Sequence, residues 1–228
     1  MKQKRVILSI MAVILTAFLF LDVSYAGNQT TSGVTSSVII TRARYYLNES
    51  TASFWSDAEL LQFINDGTMD IVARTHCLET TETETITTGT TTYAISTTYL
   101  TVKGVVLNED KSLRKGSIEH IGDTADLGEP AYYIEWNNNI VVYPAPASGV
   151  SGETLTTYLV SRPTTVTSSQ AVQVPAQFNR ALVLYVVAQA LFKDEKFAKA
   201  GRFMAEYLSE LDRFRLDFSY QQPAKDIR

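Results

Sequence analysis

Trp55-Ser56-Asp57-Ala58-Glu59-Leu60-Leu61-Gln62-Phe63-Ile64-Asn65-Asp66 sets two independent helix-start devices on one residue. Ser56 and Glu59 form an S-x-x-E capping box, in which each side chain satisfies a backbone N–H left free at the helix start. Trp55, just before the cap, and Leu60, at the fourth helical position, form the hydrophobic staple that fixes how the chain enters. Leu60, Leu61, Ile64, Thr68, Ile71 and Thr75 then follow helical spacing, which predicts a helix from Ser56 to about residue 75.

Upstream, Ile39, Ala43, Tyr46 and Leu47 fall at i, i+4, i+7 and i+8, the apolar face of a first helix over about 36–48. Arg42 and Arg44 are expected to project away from that face. Asn48-Glu49-Ser50-Thr51 ends it. Residues 27–35 are small and polar and read as a flexible lead-in.

Downstream, the composition changes at residue 79. Twelve of the 22 residues from Thr80 to Thr101 are threonine, a β-branched type suited to a pleated, half-buried surface. Gly89 and Asn108-Glu109-Asp110 mark turns between strands. Ala131 to Trp136 and Ile140 to Tyr143 flank Asn137-Asn138-Asn139, and asparagine tolerates the positive φ of a tight hairpin. Pro144-Ala145-Pro146 is expected to stop the second strand of that hairpin, and a further strand is expected at about 153–161. Residues 163–176 read as a connector to two long helices.

In the first of these, Phe178, Leu182, Tyr185, Gln189 and Phe192 share one face, while Ala181, Val186 and Ala188 make a second apolar side. Such a helix is expected to be buried nearly all round. Lys193-Asp194-Glu195-Lys196 interrupts it. The last helix, about 196–219, bears two apolar stripes. Phe197, Met204, Leu208, Leu211 and Phe218 make one; Phe203, Tyr207 and Phe214 make the other, about 100° around the axis. Two readings follow: a layered helical core inside one subunit, or a stripe that meets an adjacent subunit. On the second reading the candidate interface is Phe203, Tyr207, Phe214 and Phe218.

The bulk numbers agree with a globular chain. It has 228 residues, 45% hydrophobic and 19% charged, with a formal net charge of −4. Lys2, Lys4 and Arg5, an apolar run from Val6 to Leu21 and Ser24-Tyr25-Ala26 have the layout of a signal peptide over residues 1–26. Removing them takes away three bases and one acid, so the remainder is still more acidic. An acidic domain lacks the clustered cations that give grip on a phosphate backbone. No later segment is apolar and long enough to span a bilayer.

Chemistry is sparse. Cys77 is the only cysteine, so no intrachain disulfide can form, and its expected place is a small buried apolar position. His76 and His120 stand apart, with no metal-ligand spacing between them. Gly149-Val150-Ser151-Gly152 lacks the spacing of a nucleophile elbow. Asp123, Asp126 and Glu129 cluster between strands, where solvated loop acids are expected. Lys193, Lys196, Lys199 and Arg202 read as a solvated helix face tempered by neighbouring acids. No cofactor or metal is expected, and the chain does not read as an enzyme.

The order of parts resembles the head–tail adaptor (connector) proteins of tailed bacteriophages. Their second helix opens with a segment like W-[ST]-D-A-E-L-L-x-x-I-N, which Trp55, Ser56, Asp57, Glu59, Leu60, Leu61, Ile64 and Asn65 match here. Ala43 to Asn48 is similar to the end of the family's first helix. Ile140-Val141-Val142-Tyr143-Pro144-Ala145-Pro146 resembles its strand and P-x-P turn, and Tyr158 with Pro163 the strand that follows. Val174-Pro175-Ala176-Gln177-Phe178 resembles the entry to its C-terminal helices. The resemblance spans about 36–218. It implies an α+β fold, with a helical bundle from the N- and C-terminal helices and an inserted antiparallel β-domain over about 79–162. The adaptor-like domain would then run over 36–228, with helices at about 36–75 and 177–219. It also implies a virion protein assembled in the host cytoplasm, in a homo-oligomeric, dodecameric ring. The partners would be the portal protein and tail proteins, with DNA only passing through the channel. A secretory signal over residues 1–26 points instead to an exported β-rich envelope or cell-surface binding protein, the competing expectation.

Overall fold

The computed structural model describes residues 33–121 and 126–215. Among the described residues, four α-helices frame the fold: α1 (Ser36–Leu47), α2 (Asp57–Thr75), α3 (Asn179–Lys193) and α4 (Phe197–Arg215). Between them lie ten strands: β1 (Glu79–Thr85), β2 (Thr92–Ala94), β3 (Tyr99–Leu107), β4 (Lys111–Ser112), β5 (Arg114–Lys115), β6 (Leu127–Gly128), β7 (Tyr132–Trp136), β8 (Asn139–Tyr143), β9 (Ala145–Pro146) and β10 (Thr154–Ser161). The fold is α+β, with helices at both ends and β-structure between, as the sequence implied. Phe218 and residues 1–26 lie outside the described residues.

The capping box at Ser56 forms as read, and both staple residues, Trp55 and Leu60, are buried in the helical core. The Glu59 N–H donates to Ser56 Oγ at 3.2 Å, and the Ser56 N–H donates to Glu59 Oε2 at 3.1 Å. Trp55 is buried behind the cap and donates its indole N–H to the Ala190 carbonyl at 3.0 Å. That bond ties the start of α2 to the last turn of α3. Helix α1 stops at Asn48 and α2 at His76, each of which adopts the left-handed conformation that closes a helix C-terminus.

One four-stranded sheet has the order β1-β10-β3-β4 and a second β2-β8-β7-β5. The alternating apolar residues of both make one core, including Val105, Leu107, Leu155 and Leu159 from the first and Tyr93, Tyr133, Ile140 and Val142 from the second. The pairing is antiparallel except for two short parallel contacts, β5 with β7 and β6 with β9. The expected antiparallel insert therefore gains two parallel edges. A parallel neighbour needs a long crossover, and residues 116–131 supply it for β5 and β7. The Asn137-Asn138 turn joins β7 and β8 with φ of 48° and 60°, and Asn139 begins β8 rather than belonging to the turn. Ala145-Pro146, expected only as a stop, forms the β9 contact.

A second core belongs to the helices. Helix α3 is its axis: α1, α2 and α4 all pack on it, and ten of its side chains are buried. The all-round apolar pattern of α3 is thus explained inside the chain. Gly67 lets α2 approach it, since a Cβ there would stand 2.7 Å from Tyr185 and 2.9 Å from Leu182. Val160 reaches this core from β10, next to Leu159 in the other core, because successive strand residues point to opposite faces.

The connector is more ordered than expected. Val166, Val172 and Val174 are buried among the helices. The side-chain amide of Asn65 both donates to the Val166 carbonyl, at 3.2 Å, and accepts its N–H, at 2.8 Å. Thr35 pairs with Ala171, so the end of the lead-in is pinned where the connector passes.

Candidate assembly surface

The motif helix does most of its work inward. Arg44 corrects the expectation that it projects away from the core: it is only 6% exposed. Its guanidinium donates to Glu49 Oε1 at 3.1 Å, to Asp57 Oδ1 at 2.6 Å and to the Trp55 carbonyl at 2.8 Å. Glu49 also accepts from the Ser53 N–H. Burial pushes the Glu49 carboxyl up, but the Ser53 and Trp55 amides and Arg44 outweigh that and hold it below its ordinary value. One buried cation therefore locks the α1–α2 loop against the cap of α2. The buried charge is tolerated because two carboxylates and a backbone carbonyl accept from it.

Asp57 is thus an ion-pair partner of Arg44, and Glu59 has a second role beside the cap. Lys193 at the end of α3 bonds to Glu59, and its ammonium stands 5.1 Å above the Phe54 ring. Lys193 and the Ser56 contacts hold the Glu59 carboxyl down at about 2. Leu60 and Ile64 are fully buried, and Leu61 is half-buried. Leu61 and Ala58 line a groove of about 750 Å³ between α1, the start of α2 and Ser168–Ser169.

The last helix divides its two stripes differently from the expected interface. Tyr207, named as an interface candidate, is 1% exposed and lies inside the subunit. Its hydroxyl donates to Asp70 and its ring meets Tyr185 edge-on. Burial and the Asp70 carboxylate push its phenol well above the ordinary tyrosine value. Phe203 packs edge-on against Tyr46 and Phe214 against Phe178, both half-buried. The stripe proposed to face a neighbour is therefore largely occupied by the chain's own core. Periodicity showed two apolar stripes but not which one the subunit covers.

The open side is the other stripe. Leu211 is buried, Met204 is half-buried, but Phe197 is 63% exposed and Leu208 39% exposed. Phe197 stacks toward Phe192, also exposed, and Phe54 stands above Lys193 at the same end of the bundle. This end, built from the α1–α2 loop and the α3–α4 turn, is opposite the one where α2 continues into β1. These exposed aromatic groups, beside the buried Trp55, are the candidate contact surface.

Among the described residues, the polar groups weighed for chemistry are spread apart or paired with one another. Among the described residues, no three potential metal ligands come together. His76 is an exposed helix cap. Asp126 accepts from the Tyr143 hydroxyl, and Glu129 pairs with Lys111 at 2.9 Å. Asp123 lies outside the described residues, as does the side chain of His120. Cys77 is buried, and burial pushes its thiol up to about 11, which keeps it protonated and unreactive. Ser148–Val150 is a single 3₁₀ turn, not the strand-to-helix elbow of a nucleophile. Lys196 pairs with Asp194, and Lys199 and Arg202 are exposed on α4. Among the described residues no helix is long and apolar enough to cross a membrane.

A chain whose charged groups fix its helices, and whose aromatic groups stand exposed at one end of a bundle, has the features of a structural protein. The family model for the SU10 adaptor protein matches residues 34–225, and the chain belongs to that family. The resemblance to phage head–tail adaptors is borne out by this match, and the protein is a phage structural adaptor. A comparison with curated proteins finds no match. Membership of a phage family favours the virion and lends no support to an exported protein.

Proposed function

We propose that this chain is the repeating subunit of a head–tail connector ring that docks under the portal and extends the DNA channel toward the tail. The supporting observation is the family match over residues 34–225, which takes in both helical ends and the β-region between them. The exposed apolar faces of the outer helices fit this role, because a subunit in a ring meets two different neighbours. The acidic net charge also fits it, since DNA must pass without being gripped. In this reading residues 36–228 form the adaptor domain. The capped helix with Trp55, Ser56, Glu59 and Asn65 holds the bundle rigid, and α4 meets the neighbour. Phe203 and Phe214 keep partial exposure for a second contact; Tyr207 does not.

The test is assembly on the phage head. Purified chain added to DNA-filled, tailless heads should appear by electron microscopy as a ring of density at the portal vertex. It should also restore tail attachment. A chain that stays monomeric and leaves the vertex bare would overturn the reading.

A further inference from the structure

Helix α4 keeps an open face at Phe197, Gly201, Ala205 and Leu208, spaced i, i+4, i+8 and i+11. Every one of these residues is exposed, and Phe197 and Leu208 are large apolar groups that the described chain covers only in part. Gly201 is the informative member. A Cβ built there meets nothing within 4 Å among the described residues, so the subunit's own packing gives no reason for glycine. A mid-helix glycine is less stable than alanine, and what it provides is close approach of another backbone.

Helix α1 carries a second open face, at Val38, Arg42 and Tyr45, spaced i, i+4 and i+7. Tyr45 is 82% exposed. The two faces differ in charge. Arg42 sits within the α1 face, and Asp212 continues the α4 face one turn beyond Leu208. Neither joins an ion pair among the described residues, although Arg44 and most other charges around the bundle do.

We propose that the α4 face of one subunit packs against the α1 face of the next copy of this chain, with Phe197 and Leu208 as anchors and Asp212 opposite Arg42. The inference rests on the ring reading and names its contact. Two different, complementary faces on one subunit make a head-to-tail interface, which closes into a ring and not into a two-fold dimer. Gly201 and Ala205 let the two helices come close at the centre. The apolar anchors supply the attraction, and the single charge pair sets the register.

Charge exchange tests it. Sedimentation velocity of the full chain at rising concentration, alone and with portal-bearing heads, should show wild-type oligomers. Arg42→Asp and Asp212→Arg should each weaken association at least tenfold, and the double exchange should restore it. Gly201→Leu should block assembly while leaving the helix content by circular dichroism intact, since its side chain has open space inside the subunit. Wild-type rings that tolerate all these variants would overturn this contact and leave the ring reading standing. A wild-type chain that is monomeric even with portal-bearing heads would overturn both.

Discussion

The helical bundle and the β-sandwich are held by different kinds of bond. In the bundle, the fixing bonds join residues far apart in the chain. Trp55 reaches Ala190, 135 residues away, and Ser36 reaches Thr167, 131 away. Asn65 clamps Val166, 101 away, and Tyr207 reaches Asp70, 137 away. In the sandwich, backbone ladders pair distant strands, β1 with β10, β10 with β3 and β2 with β8, and tight turns join only two pairs. Asn108 and Glu109 turn β3 into β4, and Asn137 and Asn138 turn β7 into β8, all at positive φ. Both regions close the chain over long separations, the bundle through side-chain bonds between helices and connector, the sandwich through strand ladders over one core. At the exposed aromatic end of the bundle, the bond from Trp55 to Ala190 is a long-range tie.

Breaking a long-range bond should therefore cost most. Trp55→Ala removes a buried ring and its bond to Ala190, and is expected to lower stability by about 4 kcal/mol. Urea unfolding at neutral pH measures it. Trp55→Phe separates packing from hydrogen bonding and should recover all but about 1 kcal/mol of that loss. If Trp55→Ala costs less than a surface substitution, the α1–α2 loop is not anchored through this residue.

A local turn should cost less. Asn138 sits at φ 60°, where a β-branched side chain is strained. Asn138→Val should destabilise by about 1–2 kcal/mol, and Asn138→Gly should be close to neutral. Equal loss from the glycine variant would mean that the asparagine side chain, not its backbone conformation, holds the turn.

These two sites also mark what was legible in the sequence. The capped start of α2, the all-round burial of α3 and the asparagine hairpin all rest on local rules, and a short window of residues contains the whole signal. The burial of Arg44 does not. It depends on Glu49 and Asp57 arriving from a loop and a helix start, and a charged residue beside an apolar stripe reads as exposed. The connector was opaque for a similar reason. Val166, Val172 and Val174 have no period, and their burial comes from the helices that close over them. On α4, two apolar stripes were visible, but which one the subunit covers is decided by α1, α2 and α3. The subunit covers Tyr207 itself and leaves Phe197 and Leu208 exposed, which is why the proposed contact is placed on their side.

The smallest effect tests the weakest of the long-range ties, the bond between Lys193 and Glu59. The Glu59 carboxyl is held down to about 2 from an ordinary 4.5, first by Lys193 and then by the Ser56 contacts. A carboxylate held below its unfolded value stabilises the fold fully above about pH 4.5, and that contribution is lost as pH falls toward 2. Glu59→Gln should therefore show a shallower fall in thermal midpoint over that window than the wild-type chain. The pair is exposed to solvent, so the difference between the two curves should be small and should shrink further in molar salt. Lys193→Met should reproduce most of the effect, because Lys193 is the largest cause of the shift. Were it instead to leave the acid profile unchanged, the cap at Ser56 alone would set the Glu59 carboxyl, and the end of the bundle would lose one of its ties between α2 and α3.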